Sequence, residues 1–178
     1  PKLIEEINSG FDIISLVPSC VLMFKQELPL LFDGNEDLQN IKKYMYDPFE
    51  YLAKRDSDGK LKKDFKSSLG KIAYQVACHQ RVQNIGPRTK ELLEMIPSTE
   101  VNTIERCSGH DGTYAVKKET YENSIKIAKP VARKADESSA DFLTSDCPLA
   151  ASQIEHVAIN DFSTAHPISL LKKAYNLK

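Results

Sequence analysis

Four cysteines, Cys20, Cys78, Cys107 and Cys147, are spread along a chain of 178 residues. One of them opens a segment unlike a plain turn, Cys107-Ser108-Gly109-His110-Asp111-Gly112, in which a thiol and an imidazole stand among glycines. Thiolates are the soft ligands that iron–sulfur clusters and zinc select. Gly109 and Gly112 let a backbone turn tightly and approach a ligand closely. The N–H groups of such a loop, ahead of a helix N-terminus, favour negative charge. A thiolate-ligated cluster fits that description, and so does a bound phosphate. His110 has three readings: a fourth ligand, a hydrogen-bond donor behind the ligands, or an ordinary loop residue. His79, beside Cys78, is a weaker candidate, because neighbouring side chains in an extended loop diverge. Arg81 and Arg106 flank the cysteines and are read first as solvated or salt-bridged.

The elements that must position these groups follow from the apolar pattern. "KIAYQVA" (71–77), "EVNTIER" (100–106) and "ADFLTSD" (140–146) read as strands, each followed at once by Cys78, Cys107 and Cys147. In the second of these the apolar face is taken as Val101, Thr103 and Glu105. "FDIISLV" (11–17) reads as a short buried strand, with Cys20 three residues on. Helices are expected over 2–8, 21–31 (perturbed by Pro29), 36–55 with a new start or kink at Pro48, 87–96, 149–157 and 168–175 after His166-Pro167. A long helix is expected over 114–135, kinked at Pro130. Strand–helix alternation makes the fold class α/β, with parallel-sheet βαβ units and helices on both faces. Right-handed crossovers then place the strand ends, and the cysteines, on one edge. Ligand sites lie on that edge in parallel sheets. A lone free cysteine is often only a buried apolar residue. Three in consecutive strand-to-helix loops point to ligation.

Composition bounds the function. The chain is 41% apolar and 28% charged with net charge −1, which suits a soluble globular protein. The lack of clustered Lys and Arg argues against nucleic acid as a partner. No apolar run approaches the ~18 residues of a membrane span. The start, Pro1-Lys2-Leu3-Ile4-Glu5-Glu6, resembles an amphipathic helix rather than a signal peptide, so reduced thiols and a cytoplasmic setting are expected. Because it lacks an initial Met, the chain is expected to be cut from a longer protein. A faint repeat joins "FDIISLVPSCVL" to "ADFLTSDCPLAA". Aligning Pro18 with Pro148 sets Val17 opposite Cys147 and Cys20 opposite Ala150, so each copy keeps one half of a Cys-Pro-x-Cys turn.

"VACHQRVQNIG", "IERCSGHDGTYAVKKE", "DCPLAASQI" and "VPSCVLMFKQELPLL" resemble the cysteine-rich CCG domains of iron–sulfur oxidoreductases. That family takes in the iron–sulfur C subunit of anaerobic glycerol-3-phosphate dehydrogenase, nearest in pattern, with heterodisulfide reductase B and D and the glycolate oxidase iron–sulfur protein further off. The family pattern is a single Cys, then Cys-Cys-Gly, then Cys-Pro-x-Cys. Here these are Cys78, Cys107-Ser108-Gly109 and Cys147-Pro148-Leu149-Ala150, so Ser108 and Ala150 stand where the pattern has cysteine. The resemblance implies the tail of a first CCG module over 1–32, a helical and charged connector over 33–69, and a second CCG module over 70–178. It implies an iron–sulfur cluster, of 4Fe–4S type, held by Cys78, Cys107 and Cys147 with His110 or an external fourth ligand. Gly109 belongs to the same site and Cys20 to a separate, incomplete one; a cluster in such a fragment could be lost. The implied role is electron relay between a FAD-containing dehydrogenase subunit and a quinone or other carrier, in the cytoplasm or peripherally on the inner face of the membrane. Two other readings stay open: an interaction domain with structural zinc or no metal, and a thiol-based disulfide reductase. The second is weakened by the lack of an intact Cys-x-x-Cys pair.

Overall fold

The computed structural model describes residues 1–177. The chain divides into two units, residues 1–61 with 79–88, and residues 62–78 with 89 onward.

The first unit begins with helix α1 (Lys2–Asn8) and strand β1 (Ile13–Ile14). The expected buried strand over 11–17 is thus only two residues long, and Phe11, Ile14, Leu16 and Val17 are exposed. Helix α2 (Pro18–Leu22) starts three residues earlier than expected. Pro18 takes the first helical position, where a missing N–H costs nothing. A π-helical turn (Met23–Glu27) and α3 (Leu28–Leu31) follow. Pro29 offers no N–H to the turn before it, which accounts for the widened register there. The expected 36–55 helix is two helices, α4 (Glu36–Tyr44) and α5 (Pro48–Ser57), parted by strand β2 (Met45–Tyr46). Asn35 Oδ1 caps α4 by accepting from Leu38 N at 3.1 Å. Asp47 and Glu50 form a reciprocal capping box that opens α5 at Pro48. β1 and β2 pair in parallel, Ile13 with Met45 and Ile14 with Tyr46. Ile7, Val21, Ile41 and Met45 form the core, with Leu3, Ile4, Ile13, Phe24 and Leu38 packed against it.

The second unit holds strand β3 (Gly70–Gln75), which leads through Val76 and Ala77 to Cys78, the first residue of the short helix α6 (Cys78–Arg81). Then come α7 (Arg88–Glu94), β4 (Thr99–Ile104), α8 (Tyr121–Glu137), β5 (Phe142–Ser145), α9 (Pro148–Val157), β6 (Ser163–Thr164) and α10 (Pro167–Ala174). The sheet order is β4-β3-β5-β6 and every pairing is parallel. Ile72, Ala73, Tyr74 and Gln75 are all buried, as are Phe142, Leu143, Thr144 and Ser145. Continuous burial of this kind marks central parallel strands covered on both faces. On one face, Ala73, Ile104 and Leu143 pack with Val131, Ala132 and Ala135 of α8 and Ile154 of α9. On the other, Lys173 of α10 lies 4.4 Å over the Phe142 ring.

Two sequence expectations are corrected here. In β4 the buried side chains are Val101 and Ile104, while Glu105 is exposed. α8 starts at Tyr121 rather than Tyr114. Val116 is 75% exposed and 117–119 are exposed with it, so within 114–120 only Ala115 is buried and no helical face is. The buried stripe of Ser124, Ala128, Val131, Ala132 and Ala135 begins only afterwards. α8 continues through Pro130, which lies on its exposed side, where a freed carbonyl is open to water.

Candidate metal centre

Cys78, Cys107 and Cys147 follow β3, β4 and β5, three neighbouring parallel strands of one sheet. The chain runs outward from β3 to β4 and then returns to place β5 on the other side of β3. The C-terminal ends of β3 and β5 therefore flank a topological switch point, where open parallel sheets bind ligands. All three sulfurs stand outside any disulfide; Cys78 and Cys107 are exposed and Cys147 is half-buried. Cys147 is the N-cap of α9, with Pro148 at the first helical position. Cys20, exposed and likewise outside any disulfide, belongs to α2 of the other unit.

Beneath these loops lies a buried polar shelf that sequence reasoning did not single out. Gln75 Nε2 donates to Val76 O at 2.8 Å and to Arg106 O at 2.9 Å. Gln75 Oε1 accepts from Ser145 Oγ at 2.8 Å, and Ser145 Oγ accepts from Cys147 N at 3.2 Å. Asp146, next to Cys147, accepts from Tyr74 Oη at 2.7 Å and Thr89 Oγ1 at 3.0 Å. His166 Nδ1 accepts from Ile168 N, which leaves the ring proton on Nε2 to reach Asp146 O at 3.2 Å. Gln75, Thr89, Ser145 and Asp146 are all buried. The signal is present as polar residues at the ends of otherwise apolar strands, in "YQVAC" and "LTSDC".

The loop after β4 is a run of turns. Gly109 N donates to Cys107 Sγ at 3.4 Å and His110 N to Ser108 Oγ at 3.3 Å. Thr120 Oγ1 donates to Tyr114 O at 2.5 Å, closing the run where α8 starts. Gly109 has φ +75°, and the close approach it permits is to the backbone of α8 at Ser124 and Ala128. A Cβ on Gly112 would meet nothing within 4 Å among the described residues. Gly109 thus seats the loop on a helix, while Gly112 serves its left-handed turn at φ +59°. His110 Nε2 is buried with no hydrogen-bond partner among the described residues. Ser108 and Ala150, at the two positions where cysteine would complete the pattern, are both buried. His79 is exposed, and His156 bonds Tyr121 Oη at 2.8 Å on the surface.

The cysteine-rich domain family CCG matches residues 72–155, which takes in all three strand-end cysteines. Among curated proteins, the C subunit of the anaerobic glycerol-3-phosphate dehydrogenase of Escherichia coli K12 is 30% identical over 166 residues. That alignment covers 93% of this chain and 41% of the relative. Its counterpart in Escherichia coli O157:H7 matches equally. The chain thus spans less than half the length of these curated relatives. Among solved structures, the glutamate racemase isoform RacE1 of Bacillus anthracis overlaps 96% of this chain and 62% of its own at 14% identity. The TM-score is 0.48, too low to establish a shared fold.

The donors within residues 72–155 suit a metal-containing group in chemical type. Thiols stand at three adjacent strand ends, and an imidazole nitrogen beside Cys107 is buried without a partner among the described residues. Among the described residues, no three Cys, His, Asp or Glu side chains are already gathered into a set that could hold a metal ion. To hold one metal-containing group together, the thiol-bearing loops would have to draw in, which would couple ligation to local folding.

Proposed function

We propose that the CCG domain holds an iron–sulfur cluster on Cys78, Cys107 and Cys147, with His110 as fourth donor, and that the chain is the electron-transfer part of a dehydrogenase complex. The reading is carried by one observation: the three thiols follow three adjacent parallel strands at the ligand-binding edge of the sheet. The likeness to a named dehydrogenase subunit supports the redox assignment. The cluster would supply one-electron chemistry, of 4Fe–4S type if the family pattern holds. The protein's own part is ligation, burial and hydrogen bonding to sulfur, which set the potential. The loop N–H groups at Gly109 and the N-terminus of α9 at Cys147 face the region where negative charge would collect. Arg81 and Arg106 are the nearby cations in sequence.

The partners in this reading are a FAD-containing dehydrogenase subunit and a quinone or other carrier. A cytoplasmic setting, peripheral at the inner membrane face, goes with it; among the described residues no helix is long and apolar enough to cross a membrane. Residues 1–32 are read as the tail of a first CCG module and residues 70–178 as the second. Element order supports this. β1, the Pro18 helix, β2 and the Pro48 helix occur in the same order as β5, the Pro148 helix, β6 and the Pro167 helix, although a π-helical turn, α3 and α4 are added between the Pro18 helix and β2. Residues 33–69 are read as a helical and charged connector between the two modules.

A second reading is a structural zinc site. Three thiols and one imidazole form a Cys3His set, and Ser108 and Ala150 deprive a cluster of two of the family's thiols. Anaerobic purification with an absorption spectrum and assays of iron, acid-labile sulfide and zinc separates the two. Iron with sulfide and broad visible absorption is expected. Stoichiometric zinc without sulfide would establish the second reading.

A further inference from the structure

Three cysteine-bearing loops can close on one ligand only if their spacing is fixed from below. One side chain is placed to do this. Gln75 ends β3, the strand between β4 and β5, and its register partners are Ile104 and Ser145. Its amide contacts all three cysteine-bearing segments. Nε2 donates to Val76 O, two residues before Cys78, and to Arg106 O, one residue before Cys107. Oε1 takes the hydroxyl proton of Ser145, two residues before Cys147, whose own N–H is bound by the same hydroxyl. The amide orientation is not free to reverse. Two of its partners are carbonyls, which only accept, so the nitrogen must face them. Gln75 is 1% exposed and Ser145 is fully buried, so the bond between these two side chains is shielded from water, while those to the neighbouring backbone are partly buried.

We infer that Gln75 is the positioning residue that sets the spacing of Cys78, Cys107 and Cys147 for a shared metal-containing ligand. The inference rests on the reading that these three thiols bind together. A glutamate at this position has nearly the same shape but presents acceptors to the carbonyls of Val76 and Arg106. A leucine fills the space and bonds nothing. Either change leaves all four cysteines and His110 in the chain while releasing the link among the loops.

The test is a titration of the reduced, metal-free full chain with Cd2+, followed by thiolate-to-metal charge-transfer absorption. It compares the unaltered chain with Gln75→Glu, Gln75→Leu and Ser145→Ala. The unaltered chain should bind one Cd2+ with the absorption of three thiolates. Gln75→Glu should weaken that binding at least tenfold and reduce the absorption per bound ion, and Ser145→Ala should weaken it several-fold. Thermal melting of the metal-free variants is measured alongside. A merely structural role would lower the melting midpoint and leave the absorption per bound ion unchanged, which would overturn the inference. So would a Gln75→Glu chain with unaltered Cd2+ affinity. If Gln75→Glu and Gln75→Leu fail to fold, Ser145→Ala decides: a several-fold loss supports the inference and unchanged affinity overturns it. A chain that binds Cd2+ as expected but takes up no iron and sulfide would sink the cluster reading while Gln75 keeps its role. A chain that binds no Cd2+ through these thiols would sink both.

Discussion

A Cβ added to Gly109 would stand 2.3 Å from the carbonyl oxygen of Ser124 and 3.2 Å from the backbone nitrogen of Ala128. The Cys107 loop is therefore seated backbone to backbone on α8. Gly109→Ala meets that clash and a left-handed φ together. The cost should be roughly 2–4 kcal/mol, from the left-handed penalty and overpacking combined. Urea unfolding of the full chain should show a lower midpoint with unchanged slope. An unchanged midpoint would mean the loop does not rest on α8.

His110 should matter with opposite sign in the two states of the chain. Metal-free, its buried Nε2 lacks a partner among the described residues, and such a group costs about 1–3 kcal/mol. His110→Leu, which keeps much of the volume, should leave the metal-free melting midpoint unchanged or higher. In the loaded chain the same change should reduce metal retention or shift the reduction potential, since an imidazole ligand raises the potential of a cluster iron. Unchanged spectrum, metal content and potential would leave His110 as a loop residue.

Ser108 and Ala150 are buried where the family pattern has cysteine. Restoring the thiols by Ser108→Cys with Ala150→Cys should raise the iron and sulfide retained per chain during dilution and air exposure. Ser108→Cys is close to isosteric, whereas Ala150→Cys adds a sulfur at a buried position, so the metal-free chain should lose about 1–3 kcal/mol. No gain in retention would show that these positions do not face the site.

Much of this arrangement is legible in the residues. The strands before Cys78, Cys107 and Cys147 can be placed to within a residue or two, because buried parallel strands are short apolar runs. Pro148 and Pro167 mark helix starts for a simple reason: proline fits the first turn. β2 and β6 leave no such mark, because two residues are too few to show a period. The start of α8 is hidden because Tyr114 shares helical phase with Tyr121, and phase alone does not say which residues meet a core. Gln75 draws no notice in the sequence because an amide in a strand usually faces solvent, and only the sheet order puts β3 between its two bonding neighbours.

Tyr175 gives a pH signature to the second unit. Its hydroxyl donates to the carbonyl of Lys62, and its ring lies 4.7 Å from that of Phe65. Burial first, and the charge of Asp64 second, hold its phenol above the ordinary value of 10.0. A raised pKa favours the neutral form in the folded chain. The contribution is thus fully present below about pH 10 and is lost as pH rises through the folded value. Tyr175→Phe should cost at most about 1 kcal/mol at neutral pH, because the bond is open to solvent. It should also flatten the fall in stability above about pH 10, and urea midpoints across that range check both. An equally steep alkaline fall in Tyr175→Phe would assign it to another group.

The account turns on Cys78, Cys107 and Cys147 sharing one ligand while Cys20 stands apart. Iron and acid-labile sulfide per chain, measured after anaerobic reconstitution of the four single Cys→Ser variants, test this most directly. Cys78→Ser, Cys107→Ser and Cys147→Ser should each lose most of the cluster, and Cys20→Ser should match the unaltered chain. Equal losses for all four would put Cys20 in the same site, and retention in any of the first three would remove that thiol from it.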